Sequence, residues 1–192
     1  MATLEKEKRR YGGTSFEDRQ AERRGRLILA AIAVFERVGR DGATVAAICA
    51  EAGLTARYFY ESFPGRDALF LEAYRVVQHE LLAEIGRAAS GGGDPVRAAL
   101  GAFFAALAAH PGPARVFLLD PHGREPQMQA AGRDTAGKLV ALLAPGVRDP
   151  LAQAGVLGAI IDIARRWISG GFAETVEQVT ATAFRFAKAG VA

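Results

Sequence analysis

Apolar residues recur every three to four positions along nearly the whole chain, and the two-residue alternation of a half-buried strand is absent. That pattern predicts an all-α protein of about nine helices. The first is expected to begin near Ser15 and Asp18 and to run to Gly39, with Leu27, Ile28, Ala31, Phe35 and Val38 on one face. A turn at Arg40-Asp41-Gly42 follows. Thr44 is placed to cap a second helix, Val45 to Ala52, with Val45, Ile48, Cys49 and Ala52 inward, and Gly53 suits the position just beyond its end. Thr55 is placed to cap a third helix that stops at Phe63, before Pro64. A fourth runs from Arg66 to about Gly86, and Ser90-Gly91-Gly92-Gly93 forms a loop.

Later helices carry equally explicit punctuation. Asp94-Pro95 and Asp149-Pro150 each place an N-cap before a proline at the first helical position. The first opens the helix carrying the apolar run Ala98–Ala109, and the second opens a helix that extends to Ser169. Between them lie a short helix at Ala114–Leu119, a loop at Asp120–Glu125 and a helix from Gln127 to Leu143. Thr175 with Gln178 makes a capping box for the last helix, which ends near Gly190.

The second and third helices are short and separated by about three residues, the spacing of a helix-turn-helix unit whose second helix enters the DNA major groove. The third helix contains the run Arg57-Tyr58-Phe59-Tyr60-Glu61. At about 100° per residue, an inward Phe59 places Ala56 and Phe63 on its own side. Arg57 and Glu61 then face away, Tyr58 lies on the outer half and Tyr60 on the flank. Arginine is suited to bidentate contact with guanine, tyrosine offers a hydroxyl to phosphate, and free N–H groups at helix starts suit phosphate as well.

These residues carry a resemblance. Phe35 to Gly39, then Thr44 to Thr55, then Tyr60, Phe63 and Arg66 reproduce the order of the DNA-binding domain of the TetR family of bacterial transcriptional repressors, similar over Arg26 to Tyr74. The resemblance implies phosphate contacts from Thr44, Tyr60 and Arg66, with Thr55 and Tyr58 near backbone or bases and Arg57 reading bases. The chain departs from the family pattern where Ala56-Arg57-Tyr58 stands after the turn and where Arg66 replaces lysine. No operator sequence therefore carries over.

Charge and composition change this picture little. A net charge of +3 and a pI near 9.3 are mildly basic. Residues 1–14, with Lys6 to Arg10, are expected to form a disordered basic arm able to reach a neighbouring groove. The lone Cys49 suits a reducing cytoplasm and a small core position. No apolar stretch is long enough to span a bilayer, and the N-terminus lacks a signal-peptide core, so a cytoplasmic protein is expected. His79, His110 and His122 lack metal-ligand spacing, and no nucleophile, phosphate-loop or zinc motif occurs. An enzyme, a metal and a cofactor are therefore not expected.

The second half has apolar surface on more than one side. Val156, Ile160, Ile163 and Trp167 form one stripe of the eighth helix, and Leu157, Ile161, Ala164 and Ile168 another. Val156, Ile160, Ile163, Val179, Ala183 and Phe186 are the expected dimer interface. Phe103, Phe104, Leu107, Phe117, Leu118, Met128 and Trp167 are the expected lining of a small-molecule pocket, which the resemblance places in this region. The expected organisation is a basic arm (1–14), a helix-turn-helix DNA-binding domain (15–65) and a helical ligand-binding and dimerisation domain (66–192). The expected function is a dimeric repressor released from a palindromic double-stranded DNA operator by a small, mostly apolar ligand. The alternative is a helical small-molecule or lipid-binding protein without a DNA-binding role, which would not need Arg57, Tyr58 and Tyr60 together.

Overall fold

A computed structural model of the chain describes residues 16–119 and 125–190. The expected basic arm, His122 and most of the 120–125 loop lie outside the described residues. Among the described residues there are nine α-helices and no strand. They are α1 (Phe16–Gly42), α2 (Val45–Ala52), α3 (Ala56–Ser62), α4 (Arg66–Ala89), α5 (Pro95–Ala109), α6 (Pro111–Ala114), α7 (Pro126–Leu143), α8 (Pro150–Ser169) and α9 (Val176–Ala189). A π-helical turn, Arg115–Leu119, continues α6.

The caps explain most boundaries. Thr44 accepts the Ala47 N–H, and Asp149 accepts that of Ala152. Thr175 and Gln178 cap each other reciprocally. Each pairing satisfies backbone donors that a helix start leaves without partners. Helix α1 is interrupted at Gly39, where φ is 71° and ψ is 175°. Only glycine adopts that left-handed region without strain. Val38, expected on the inward face, is 48% exposed, whereas Leu27, Ala31, Val34 and Phe35 are buried.

Two cores hold the helices together. The first joins α1, α2, α3 and the N-terminal half of α4 around Leu27, Phe35, Ile48, Phe59, Phe63, Leu69 and Phe70, and it also takes in Phe117 and Met128. The second joins α5, α7, α8 and α9 around Leu100, Phe103, Phe104, Leu143, Ile160 and Trp167. The 24-residue α4 belongs to both. Leu69 to Tyr74 lie in the first core, and Leu81, Leu82 and Ile85 lie in or against the second. A helix of that length spans about 36 Å, so it connects the two cores as one rigid rod.

Asp94 fastens the start of α5 to the end of α9. Its carboxylate accepts the N–H groups of Val96 and Arg97 at 3.0 and 3.2 Å and pairs with Lys188 at 3.2 Å. The Arg97 N–H, aided by Lys188, holds this carboxyl below its ordinary value of 3.8, although its partial burial pushes the other way. A folded-state pKa below the unfolded one contributes stability that is present above 3.8 and lost as pH falls through the folded value. Asp94→Ala is therefore expected to lower the melting temperature at pH 7. The gap to wild type should close in acid, as thermal denaturation followed by circular dichroism at pH 7 and pH 3 would show. A gap independent of pH would separate the loss from the carboxylate.

Candidate nucleic-acid interface

Helix α3 is seven residues long, too short to persist without tertiary support. Its support comes from one side. Phe59 and Phe63 are buried, with ring centroids 6.0 Å apart. Only that part of the face is covered, and Ala56, which shares the side, is exposed. On the other side Arg57 is exposed, Tyr60 is 63% exposed and Tyr58 is half-buried. Thr55 sits at the N-cap in an extended conformation, yet its hydroxyl makes no cap hydrogen bond. It is exposed at the start of the helix, as is Thr44 at the start of α2.

Helix α1 supplies a layer of cations that the sequence pattern did not single out. Arg24 donates to the Ser62 carbonyl at 2.7 Å, lies over the Phe63 ring at 4.2 Å and pairs with Glu72 at 3.2 Å. Arg26 donates to the Ala52 carbonyl at 2.6 Å. Ala52 and Ser62 are the last residues of α2 and α3, so each arginine satisfies an orphan carbonyl at the negative end of a short helix. Arg23 stacks over Tyr58 at 4.6 Å and fixes that ring at the edge of α3. The available signal was the run Arg23-Arg24-Gly25-Arg26, in which Arg23 and Arg24 meet only Leu27 and Ile28 one turn later. Gly53 between α2 and α3 has φ 62°, and a Cβ there would meet the Arg26 guanidinium at 3.2 Å. Its left-handed backbone and the close approach both call for glycine.

Arg66 is engaged as well as exposed. Its Nη1 donates to the Ala43 carbonyl at 2.6 Å, which ties the start of α4 to the start of α2. Arg40 braces the same corner, lying over Phe70 at 4.3 Å and pairing with Asp67 at 3.1 Å. Cys49 is buried in the first core, and burial pushes its thiol pKa up, which suits a packing role.

The residues expected to line a pocket divide. Leu107, Phe117 and Leu118 line a cavity of about 530 Å³ bounded by α1, α4, α5 and α6, with Leu29, Val76 and Pro113 among the other walls. Phe103, Phe104, Met128 and Trp167 do not line this cavity. Phe103 and Phe104 are fully buried, their centroids 5.1 Å apart, in the core that packs α5 on α8 and α9. The Trp167 ring packs edge-on against Phe104 and Phe172, and its indole N–H donates to the Glu174 carbonyl at 2.8 Å. Met128 lies in the first core. These side chains bury their helices against one another and have no surface left for a ligand in that cavity. A second cleft of about 720 Å³ lies between α4 and α7, with Tyr74, Gln78, Asp134 and Thr135 among its lining residues. Burial raises the Tyr74 phenol, and its hydrogen bond to Thr135 opposes the rise.

The expected dimer residues divide too. Val156, Ile160, Val179 and Ala183 are buried within one chain, where α8 meets α9 and α5. In the single chain they pack into its own core. Ile163 is partly exposed and Phe186 is 49% exposed. Among the described residues no helix is long and apolar enough to cross a membrane, and no group of three or more candidate metal ligands occurs.

Residues 27–73 match the sequence model described as bacterial regulatory proteins, tetR family. No curated protein matches the chain. Solved structures do, at low identity. The fatty acid degradation regulator FadR from Bacillus halodurans is 17% identical, with a TM-score of 0.73 over 88% of this chain and 96% of that one. FadR from Bacillus subtilis, solved in complex with stearoyl-CoA, is 14% identical, with a TM-score of 0.71 over 88% of this chain and 99% of that one. A TetR-like transcriptional regulator from Rhodococcus sp. RHA1 is 19% identical, with a TM-score of 0.70 over 89% and 96%. At such identities these structures show the fold. The sequence match to the tetR family model thus covers the helix-turn-helix unit, and along most of its length the chain shares the fold of TetR-like regulators.

Proposed function

We propose that the chain is a homodimeric transcriptional repressor that grips a palindromic operator with α3 and lets go when a small, mostly apolar ligand binds. Residues 15–65 read DNA in this scheme, and residues 66–192 dimerise and sense. The observation that carries the reading is the division of α3, whose phenylalanines are buried while Thr55, Arg57 and Tyr60 are exposed together. A lipid-binding protein that made no use of DNA would have no need of that surface.

Arg57 contacts bases. Thr44, Tyr60 and Arg66 contact phosphate, with Thr55 and Tyr58 at the backbone or bases. The ligand occupies the cavity of about 530 Å³, whose walls include both α1 and α4, and binds best to a tilt of α4 that no longer fits two half-sites. Stearoyl-CoA, held by the Bacillus subtilis protein, makes long-chain acyl thioesters sensible first trials. Two-fold pairing uses the outer faces of α8 and α9, where Ile163 and Phe186 remain accessible.

A gel-shift assay on the DNA upstream of the chain's own gene, repeated across candidate ligands, tests the whole scheme. Two chains per site and release by one ligand class are expected. Equal retardation of that DNA and random DNA would sink it. Arg66→Ala is expected to weaken binding to every sequence and to flatten the salt dependence by about 1.8 in log–log slope, one phosphate contact being lost from each chain of the dimer. It should also lower the melting temperature, because the Ala43 carbonyl loses its donor. A lower melting temperature with an unchanged salt slope would leave Arg66 a structural role alone.

A further inference from the structure

Glu61 breaks three local rules at once. It is an acid in the last turn of a seven-residue helix, where the backbone dipole disfavours negative charge. It follows Arg57 by four positions, and this order, base before acid, is the weaker one for helix stability. It also lies on the face that the proposed function assigns to a polyanion. A residue that local physics opposes on each count is a candidate for function.

Its contact suggests the role. The Glu61 Oε1 accepts the Arg57 Nε–H at 2.8 Å, on a side chain whose guanidinium is otherwise exposed. A guanidinium can present two parallel donors side-on, through Nε and one Nη, or end-on, through both Nη groups. Glu61 takes the Nε and leaves the end-on pair. The carboxylate also raises the Arg57 pKa, chiefly through this hydrogen bond.

We infer that Glu61 is a specificity-determining positioning residue, which holds Arg57 by its Nε so that both Nη groups meet the O6 and N7 of one guanine per half-site. Its negative charge also keeps that guanidinium from settling on a phosphate. The inference rests on the DNA-reading role proposed for α3. The pair is exposed, so the bond is worth little for stability, and its effect is to choose among arrangements of similar energy.

The test starts from the full-length protein and a random duplex library. Sites enriched by wild type are then titrated, with single-base variants and random DNA, against wild type, Glu61→Ala and Glu61→Gln over a range of salt. Glu61→Ala is expected to cut the guanine preference at one position per half-site about two- to five-fold. It should also tighten binding to random DNA and steepen its salt slope by up to about 1.8, as the Arg57 of each chain moves to a phosphate. Glu61→Gln keeps an acceptor for Nε, and it should retain most of the guanine preference while still gaining affinity for random DNA. Melting temperatures near wild type would exclude misfolding.

An unchanged guanine preference in both variants would overturn the inference and leave the DNA-reading proposal standing. Loss of preference at a neighbouring cytosine, with the guanine preference intact, would do the same, because Glu61 would then be reading a base itself. If wild type enriches no sequence, the DNA-reading proposal fails and this inference fails with it.

Discussion

Replacing Phe59 with alanine is expected to destabilise the N-terminal core by about 3–5 kcal/mol and to abolish sequence-specific DNA binding. Phe59 has no exposed surface, and its ring meets Phe63 and the ring of Tyr60, whose centroid is 5.2 Å away. Phe59 is the buried side chain at the middle of α3, where Ala56 is exposed and the helix is only seven residues long. A domain typically has about 5–15 kcal/mol of stability, so the loss is a large share of the whole. The second core contains no atom of α3. The melt is therefore expected to separate into an early transition for α1–α3 and a later one for α5–α9. Chemical denaturation followed by circular dichroism, with the intrinsic fluorescence of the lone Trp167 reporting the second core, would resolve the two. A loss under about 1 kcal/mol would mean that α3 is held by something other than this ring.

Arg57→Ala is expected to leave the fold intact and to reduce base discrimination roughly 5- to 150-fold at one position per half-site. The Arg57 side chain is 83% exposed, and its partner Glu61 is itself on the surface, so truncation opens no cavity. Arg57→Lys should not restore the preference, because an ammonium is a point charge and cannot present two parallel donors. Anisotropy titrations on matched and singly mismatched duplexes measure the ratio directly. A loss shared equally by specific and random DNA would reassign Arg57 to a phosphate.

Both effects are local, yet the architecture gives them a route to the rest of the chain. Helix α4 has its first half in the core that seats α3 and its second half against the core built by α5, α8 and α9. The apolar cavity touches α4 along Val76 to Arg87 and reaches α1 through Leu29 and Ile32. A ligand there would contact the helix that carries the arginine clamps on α2 and α3. Differential affinity for two settings of α1 and α4 is what a release mechanism requires.

Much of this was legible before folding was considered. Helix boundaries were, because caps are local. Thr44, Asp94, Asp149 and the Thr175–Gln178 pair each mark a helix start in the sequence and hydrogen-bond there in the structure. The split of α3 was legible too, because a helical period and one buried phenylalanine fix where Arg57 and Glu61 point. Less accessible was the destination of each apolar side chain. Periodicity shows that Phe103, Phe104 and Trp167 are buried; it cannot distinguish a ligand from another helix as the thing that covers them. Either stripe of α8 could have faced outward on the same pattern.

An all-α chain, its helix starts and stops, and the outward set on the third helix follow from local pattern alone, since each depends on neighbours within a turn or two along the chain. Long-range packing is what buries Val156 and Ile160 in the core with α9 and α5, sets Arg24 and Arg26 at the ends of α3 and α2, and opens the cavity beside α1. Those outcomes depend on contacts between residues tens of positions apart, such as Arg24 with Ser62 and Arg165 with the Leu118 carbonyl. No local pattern encodes which of several compatible partners will arrive.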